Sequence, residues 1–140
     1  LLTSLDNVDA NRTGIIGHCW GGRVAWLGAC HNPDYKAAVM LYGGRIKVGM
    51  GDGCPPAIDL AGNIRCKMMG IFGNDDQTPS PADVADLDAA LTAAGVEHVF
   101  HQYDGAGHGF QDFVNTERFR KEQTEDSWAK LLAFLDDTLK

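Results

Sequence analysis

Apolar runs and turn-forming residues alternate along the chain in a way that predicts four β-strands. Short apolar runs bounded by Gly, Asn or Asp lie at 13–17, 37–42, 67–72 and 96–103. Strands that alternate with helices are typical of a parallel sheet with helices on both faces. The pattern therefore predicts one three-layer α/β domain over residues 1–140, with about four parallel strands.

Three other segments have the features of helices. Residues 21–30 begin with two glycines, which allow close packing on the preceding strand. The next helix starts after Ser80 as N-cap, with Pro81 in its first turn, and ends before Gly95. A last helix at about 120–138 has five apolar residues at helical spacing, predicted to lie in the core: Trp128, Leu131, Leu132, Leu135 and Leu139. Residues 43–64 are interrupted by Gly and Pro and predict a long loop.

Composition and charge argue against several classes of protein. The chain has 12 Lys and Arg against 19 Asp and Glu, and this net charge of −7 argues against a nucleic-acid partner. No apolar run approaches the roughly 20 residues of a transmembrane helix, so we expect no membrane association. Four cysteines lack the C-x-x-C spacing of zinc or dithiol sites: Cys19, Cys30, Cys54 and Cys66. Without a recognisable signal peptide, we interpret them as reduced thiols of a cytoplasmic protein.

The first predicted strand ends in a sequence that has the form of a nucleophile elbow. Gly17-His18-Cys19-Trp20-Gly21 matches G-x-S-x-G with cysteine in place of serine. Such a turn exposes the nucleophile at a helix N-terminus, where the helix dipole favours a thiolate. Because the turn is crowded, Gly17 and Gly21 are predicted to provide the necessary space. The motif alone is weak, since free cysteines are more often buried and inert.

Two further strand ends have residues that could complete a catalytic triad. Asp75 and Asp76 follow the third strand, and His108 follows the fourth in a glycine-rich turn. Nucleophile, acid and histidine then occur in the chain order of α/β-hydrolases. His108 would accept the thiol proton of Cys19, an aspartate would orient the imidazole, and the backbone N–H of Trp20 would bind an oxyanion. Spacing alone does not choose between Asp75 and Asp76.

Taken together, these motifs resemble those of the dienelactone hydrolase family. The matching segments are GHCWGGR at 17–23, FGNDD at 72–76, SPADV at 80–84 and YDGAGHGF at 103–110. The resemblance implies an α/β-hydrolase fold, with Cys19 as nucleophile, Asp76 as acid and His108 as the histidine. It also implies hydrolysis of small esters or lactones without a metal or organic cofactor.

The chain departs from the family's pattern at its beginning. A complete hydrolase of this kind has several strands before the elbow, whereas here the elbow begins at residue 17, after an apolar fragment at 1–5 typical of the end of a helix. The chain therefore resembles the C-terminal half of the fold, with the N-terminal strands and the second oxyanion N–H missing. The strand at 13–17 is then predicted to have one unpaired edge, through which the chain could self-associate.

Residues that would contact a substrate are indicated less directly. An arginine that helps to bind the substrate carboxylate in dienelactone hydrolase itself is absent, since Gln111 and Asp112 occupy that region. Candidate contacts are Trp20 next to the nucleophile, Arg45 in the loop after the second strand and Phe110 next to the histidine.

The leading hypothesis from the sequence is hydrolysis of a small ester or lactone through a thioester at Cys19. An alternative is a non-catalytic interaction module that retains a degenerate hydrolase site, and a third is a thiol redox protein. Fast, selective alkylation of Cys19 would favour the enzyme, whereas slow and equal labelling of all four thiols would favour the interaction module.

Overall fold

Four parallel strands form one sheet in the computed structural model, which describes residues 2–140. The strands lie side by side in chain order: β1 (Gly14–His18), β2 (Ala37–Leu41), β3 (Lys67–Gly73) and β4 (His98–Tyr103). The α-helices are α1 (Trp20–His31), α2 (Pro81–Ala93) and α3 (Lys121–Thr138). Two short 3-10 helices cover Leu2–Ser4 and Ala57–Asn63, and Leu1 lies outside the described residues.

The second strand lies at the centre of the core, and all five of its residues are buried. Ala38 and Met40 face the cluster that contains side chains of α1 and α2. Val39 and Leu41 face the opposite cluster, to which α3 contributes. Because a central parallel strand is covered on both faces, it has a continuous apolar sequence and not an alternating one. The predicted three-layer arrangement is confirmed.

The sequence predicted a long loop over residues 43–64, but part of this segment is helical. Its second part forms the 3-10 helix Ala57–Asn63, in which Ala57 and Ala61 are buried. The fully buried Trp26 of α1 donates its indole N–H to the Ala57 carbonyl at 2.8 Å. Burial of these small apolar side chains against α1 therefore orders a stretch whose glycines and prolines indicate only turns.

The ends of α2 follow the predicted signals closely. Ser80 and Asp83 form a capping box, in which each side chain accepts a hydrogen bond from the other residue's backbone N–H. At the other end Gly95 has a φ of 69°, a left-handed conformation that glycine adopts readily. The N–H of Val96 then bonds back to the Leu91 carbonyl at 3.0 Å. Because the N–H of Val96 is bonded to α2, β4 begins at His98, whereas the sequence predicted a strand from residue 96.

The last helix is less buried than its apolar spacing predicts. Leu131 is fully buried against β2 and β3, but Trp128 is 39% and Leu132 is 59% exposed. Trp128 lies towards β1, where its ring centroid is 6.2 Å from that of His18, and Leu132 follows one turn later. The apolar stripe of α3 therefore lies only partly in the core. No described helix, including α3, is long and apolar enough to cross a membrane.

The first strand forms one edge of the sheet in the part of the chain that the structure describes, as predicted. β1 pairs with β2 on one side, and the N–H of Cys19 extends this pairing through a 2.9 Å bond to the Leu41 carbonyl. Backbone groups alternate in direction along a strand, so the N–H of Ile16 points to the free side. The Ile16 side chain is also 42% exposed. Unpaired backbone groups at a strand edge can pair with another strand.

Self-association through this edge stays a prediction, and light scattering at increasing concentrations of the 140-residue chain tests it. We expect a dimer, which Ile16→Pro should weaken because it removes an outward N–H without breaking the pairing with β2. A monodisperse wild-type monomer would contradict the prediction.

Candidate active site

A sharp turn between β1 and α1 exposes the sulfur of Cys19. Cys19 has φ 55° and ψ −121°, a conformation that costs an L-residue about 1–3 kcal/mol and persists only when its surroundings impose it. Its N–H is bonded to Leu41 of β2, and its carbonyl accepts from the N–H of Gly22 at 2.9 Å in the first turn of α1. The side chain does not cap the helix. The sulfur is therefore free to contact other groups at the carboxyl end of the sheet.

The space for this turn is provided by Gly17, as the sequence predicted, and by Gly22. The sequence predicted Gly21 as the second position, and there the structure shows no crowding. A Cβ atom on Gly17 would collide with the backbone carbonyl group of Gly21. One on Gly22 would lie 2.7 Å from the Leu41 carbonyl oxygen, whereas one on Gly21 would meet nothing within 4 Å. The crowding is directed towards the sheet, because α1 packs directly on the first two strands.

The loops after β3 and β4 are joined to each other by backbone hydrogen bonds. The N–H of Asn74 donates to the Tyr103 carbonyl, and that of Asp75 donates to the Ala106 carbonyl, both at 2.9 Å. The Asn74 side chain also donates to Asp104 at 2.6 Å. These contacts set the position of the segment before Asp76 relative to the loop that contains His108.

Cys19, Asp76 and His108 form a continuous hydrogen-bonded series. The Nδ1 atom of His108 lies 2.8 Å from Oδ2 of Asp76, and its Nε2 atom lies 2.9 Å from Sγ of Cys19. Asp76 is only 3% exposed, and its other carboxylate oxygen accepts from the N–H of Thr78 at 2.8 Å. Asp75 instead uses its backbone N–H to bond the histidine loop. Asp76 is thus the aspartate in contact with the imidazole.

The charge of Asp76 changes the proton affinity of His108. The hydrogen bond that His108 donates to the Asp76 carboxylate raises the pKa of His108 to about 9, although partial burial opposes the rise; the contact with Cys19 also contributes to it. A carboxylate next to an imidazole favours the protonated ring. The imidazole whose Nε2 atom lies 2.9 Å from Sγ of Cys19 therefore binds a proton more strongly than a free imidazole does.

Tyr42 packs against the histidine and was not identified from the sequence. It follows β2 with φ 39°, is 4% exposed, and places its ring centroid 5.4 Å from that of His108 in an edge-to-face arrangement. Burial, with smaller contributions from Cys19 and Asp112, raises the pKa of Tyr42 to about 12. A neutral aromatic wall thus supports the imidazole. The only sequence signal was an aromatic residue at a strand end, before two glycines.

A cavity of about 360 Å³ opens beside the sulfur of Cys19. Its walls include Asp76, His108, Trp20, Arg23 and Arg45. Trp20 is 64% exposed and is the first residue of α1, where a backbone N–H has no carbonyl one turn earlier to bond.

Phe110 does not line the cavity, although the sequence suggested it as a substrate contact. It is fully buried, and its ring packs against Tyr42 at 5.8 Å and Tyr103 at 5.6 Å between centroids. The residue therefore anchors the histidine loop in the core on the α3 side of the sheet. The chain turns between His108 and Phe110, where Gly109 has a φ of 71°, so the two side chains are not on one face of a strand.

Two arginines give the cavity a positively charged wall. Arg23 is 5% exposed and donates from Nη2 to the Val48 carbonyl, while its Nε atom has no partner among the described residues. Burial and the nearby charge of Arg45 lower the pKa of Arg23. Within residues 2–140 neither arginine forms an ion pair with a carboxylate. The sequence analysis did not identify Arg23. Its signal was an arginine in the otherwise apolar first turns of a predicted helix.

The described residues contain no group of three or more His, Cys, Asp or Glu side chains arranged to hold a metal ion. All four cysteines are free: Cys19 and Cys54 are exposed, and Cys30 and Cys66 are buried. Burial raises the pKa of the Cys30 thiol to about 12, which keeps it protonated and unreactive. Cys19 is the cysteine that lines the cavity.

Comparison with known proteins assigns the chain to a family. The sequence pattern of the dienelactone hydrolase family matches residues 1–139. The chain belongs to the dienelactone hydrolase family. A relative from Methylorubrum extorquens, provisionally named a carboxymethylenebutenolidase, is 38% identical over 125 residues, which are 88% of this chain and 42% of the relative. An Escherichia coli K12 protein with the same provisional name is 32% identical over 124 residues, or 89% of this chain and 45% of that protein.

A solved structure from the same family has the same fold over this region. The Klebsiella pneumoniae protein, provisionally named a dienelactone hydrolase, has a TM-score of 0.87 and 31% identity; the match covers 94% of this chain and 54% of that one. Porphyromonas gingivalis dipeptidyl peptidase 4, at 19% identity and a TM-score of 0.83, shares the fold alone. The chain spans about half the length of the curated relatives it matches, between 42% and 46% for the first three.

A matched pair of glycine substitutions tests the packing of the elbow. Gly17→Ala is expected to lower the free energy of unfolding by about 1–3 kcal/mol, because the new methyl group collides with backbone atoms. Gly21→Ala should leave stability unchanged or raise it by up to about 1 kcal/mol, since its Cβ meets open space in a helix. Urea denaturation measures both, and equal losses would contradict the assignment of Gly17 as the crowded position.

The raised pKa of His108 makes stability depend on pH. Because the folded-state pKa of about 9 lies above the ordinary value of 6.5, protonation of His108 stabilises the fold fully below about pH 6.5. This contribution is lost as the pH rises through about 9. The difference in unfolding free energy between wild type and His108→Gln should therefore shrink between about pH 6 and about pH 9.5. Asp76→Asn should flatten the same dependence, and a constant difference would contradict the prediction.

Proposed function

We propose that the chain contains the catalytic residues of a hydrolase that acts on small esters or lactones. Cys19 is the nucleophile, His108 is the general base and acid, and Asp76 orients the imidazole. The observation that supports this most directly is the unbroken contact from Asp76 through His108 to the exposed sulfur, at the wall of a cavity. Membership of the dienelactone hydrolase family supports the same reaction class.

In the first half of the proposed reaction, the sulfur of Cys19 attacks the ester or lactone carbonyl carbon. The thiol proton passes to Nε2 of His108, and the new charge on that nitrogen is stabilised by Asp76. The carbonyl oxygen becomes an oxyanion, to which the backbone N–H of Trp20 donates. Collapse of this intermediate breaks the bond to the alcohol oxygen, which takes the proton from His108. A thioester remains on Cys19.

In the second half, water replaces the alcohol. His108 removes a proton from the water molecule, whose oxygen attacks the thioester carbonyl. Collapse of the second tetrahedral intermediate breaks the carbon–sulfur bond and releases the carboxylic acid. The proton on His108 returns to the sulfur, so that the thiol of Cys19 is regenerated and one water is consumed for each ester bond.

Trp20 and Arg45 are the proposed contacts for the rest of the substrate. The exposed indole of Trp20 provides an apolar surface next to the nucleophile, and Arg45 reaches the same cavity from the loop after β2. The buried charge of Arg23 adds to the positive potential there. This arrangement favours an ester or lactone with an acidic substituent, because neither guanidinium has a carboxylate partner among the described residues.

Substitution of the nucleophile tests the proposal with p-nitrophenyl acetate as the ester. Wild type should release a burst of p-nitrophenol equal to the enzyme concentration, because the thioester forms faster than it is hydrolysed. Cys19→Ala should abolish the burst and lower kcat/KM by at least roughly 10³-fold, and His108→Ala should have a similar effect. Cys54→Ala is the matched control, since Cys54 is also exposed but lies outside the cavity.

Undiminished turnover by Cys19→Ala would contradict the role of Cys19 as the nucleophile. Alkylation with iodoacetamide separates this result from a non-catalytic module that merely keeps the elbow. An activated Cys19 should react near neutral pH faster than the exposed Cys54, as measured by the intact mass and by peptide mapping.

A further inference from the structure

A chain of three side-chain hydrogen bonds connects α3 to the residue before Cys19. Ser127 of α3 donates its hydroxyl to the Thr124 carbonyl at 3.0 Å. The Nε2 group of Gln111 donates to the Ser127 hydroxyl oxygen at 2.7 Å. The Oε1 atom of Gln111 lies 3.2 Å from Nε2 of His18, the last residue of β1. None of these side chains has a role in the proposed chemistry.

The donors and acceptors along this chain of hydrogen bonds form a consistent arrangement. Ser127 is fully buried, and its single hydroxyl proton is used on Thr124, so its oxygen accepts from the amide nitrogen of Gln111. The amide oxygen of Gln111 must then face His18. Because that oxygen can only accept, the Nε2–H group of His18 is the donor in this arrangement. The orientation of the His18 ring is thus determined by a buried group on α3.

Gln111 is placed where it acts on both loops that contribute to the candidate active site. His18 directly precedes Cys19, and Gln111 follows His108 by three residues. The histidine loop is itself attached to the start of α3, since the Arg120 N–H donates to the Phe110 carbonyl at 2.9 Å. One amide, 8% exposed, therefore connects the nucleophile elbow with the histidine loop.

The ring of His18 is also in contact with the aromatic group that supports the catalytic histidine. Its centroid lies 5.9 Å from that of Tyr42 and 6.2 Å from that of Trp128. Tyr42 in turn contacts His108 edge-on. A rotation of the His18 ring would disturb these contacts, and with them the separation between the sulfur of Cys19 and Nε2 of His108.

We propose that Gln111 is a positioning residue that sets the distance between Cys19 and His108 through its bond to His18. The proposal rests on the function proposed above for Cys19 and His108. Its physical basis is that the backbone bonds of the elbow run to Leu41 of β2 and Gly22 of α1, and neither of these comes from the α3 side of the sheet. The Gln111 amide adds a restraint from that side.

Removal of the amide is the first test, with p-nitrophenyl acetate as substrate. Gln111→Leu should lower kcat by about 10- to 100-fold, because small displacements of reacting groups have effects of this size, with KM changed by less than about twofold. Gln111→Glu should restore most of the activity, since its carboxylate still accepts from His18 and the Ser127 hydroxyl can turn to donate to it. Equal losses in both variants would overturn the proposal.

A double-mutant cycle tests whether Gln111 acts through His18. His18→Phe keeps an aromatic ring between Tyr42 and Trp128 but removes the N–H donor. The loss of kcat in His18→Phe should match that in Gln111→Leu, and the double variant should lose no more than the larger single loss. Independent, multiplicative losses would overturn the proposal. This variant also replaces Gln111→Leu if circular dichroism shows that the latter does not fold.

Alkylation of Cys19 provides a readout that does not depend on ester hydrolysis. The rate with iodoacetamide is measured relative to that of Cys54 in the same molecule, at neutral pH. Gln111→Leu should lower this ratio towards one, whereas Gln111→Glu should preserve it, and an unchanged ratio in Gln111→Leu would overturn the proposal. Full hydrolysis by Cys19→Ala would instead refute the proposed function, so the two failures are distinguishable.

Discussion

The left-handed backbone of Cys19 is the constraint on which the site depends. This conformation is unfavourable for an L-residue, and it persists because β1 pairs with β2 up to the Cys19 N–H while α1 begins at the next residue. The turn fits only because Gly17 and Gly22 have no Cβ to meet the neighbouring backbone. As a consequence the sulfur points out of the sheet at the N-terminus of α1, where no side-chain cap competes for it.

The parallel sheet determines which groups can reach that sulfur. All four strands have their carboxyl ends at one edge, so the loops after β3 and β4 are brought to the elbow. Their mutual backbone bonds make a rigid support for Asp76 and His108. Since Asp76 is buried and receives a hydrogen bond from Thr78, its negative charge acts mainly on the imidazole. The raised pKa of His108 follows from this arrangement.

Two sides of the site differ in chemistry. The cavity side has the guanidinium groups of Arg23 and Arg45, which suit an anionic ligand. The side towards α3 is aromatic and polar, with Tyr42 against His108 and the amide of Gln111 against His18. The aromatic contacts behind His108 and the two guanidinium groups of the cavity therefore lie on different sides of Cys19.

The sequence by itself determined the four strands, the three α-helices and the loops that hold Cys19 and His108, because these depend on local apolar periodicity and on turn residues. Family motifs further selected Asp76 over Asp75. Tertiary structure alone decided the burial of Phe110, the open space at Gly21 and the exposure of Trp128, since these depend on which element packs opposite each residue. The contacts of Gln111 were equally hidden from the sequence, because its partners lie 93 and 16 residues away along the chain.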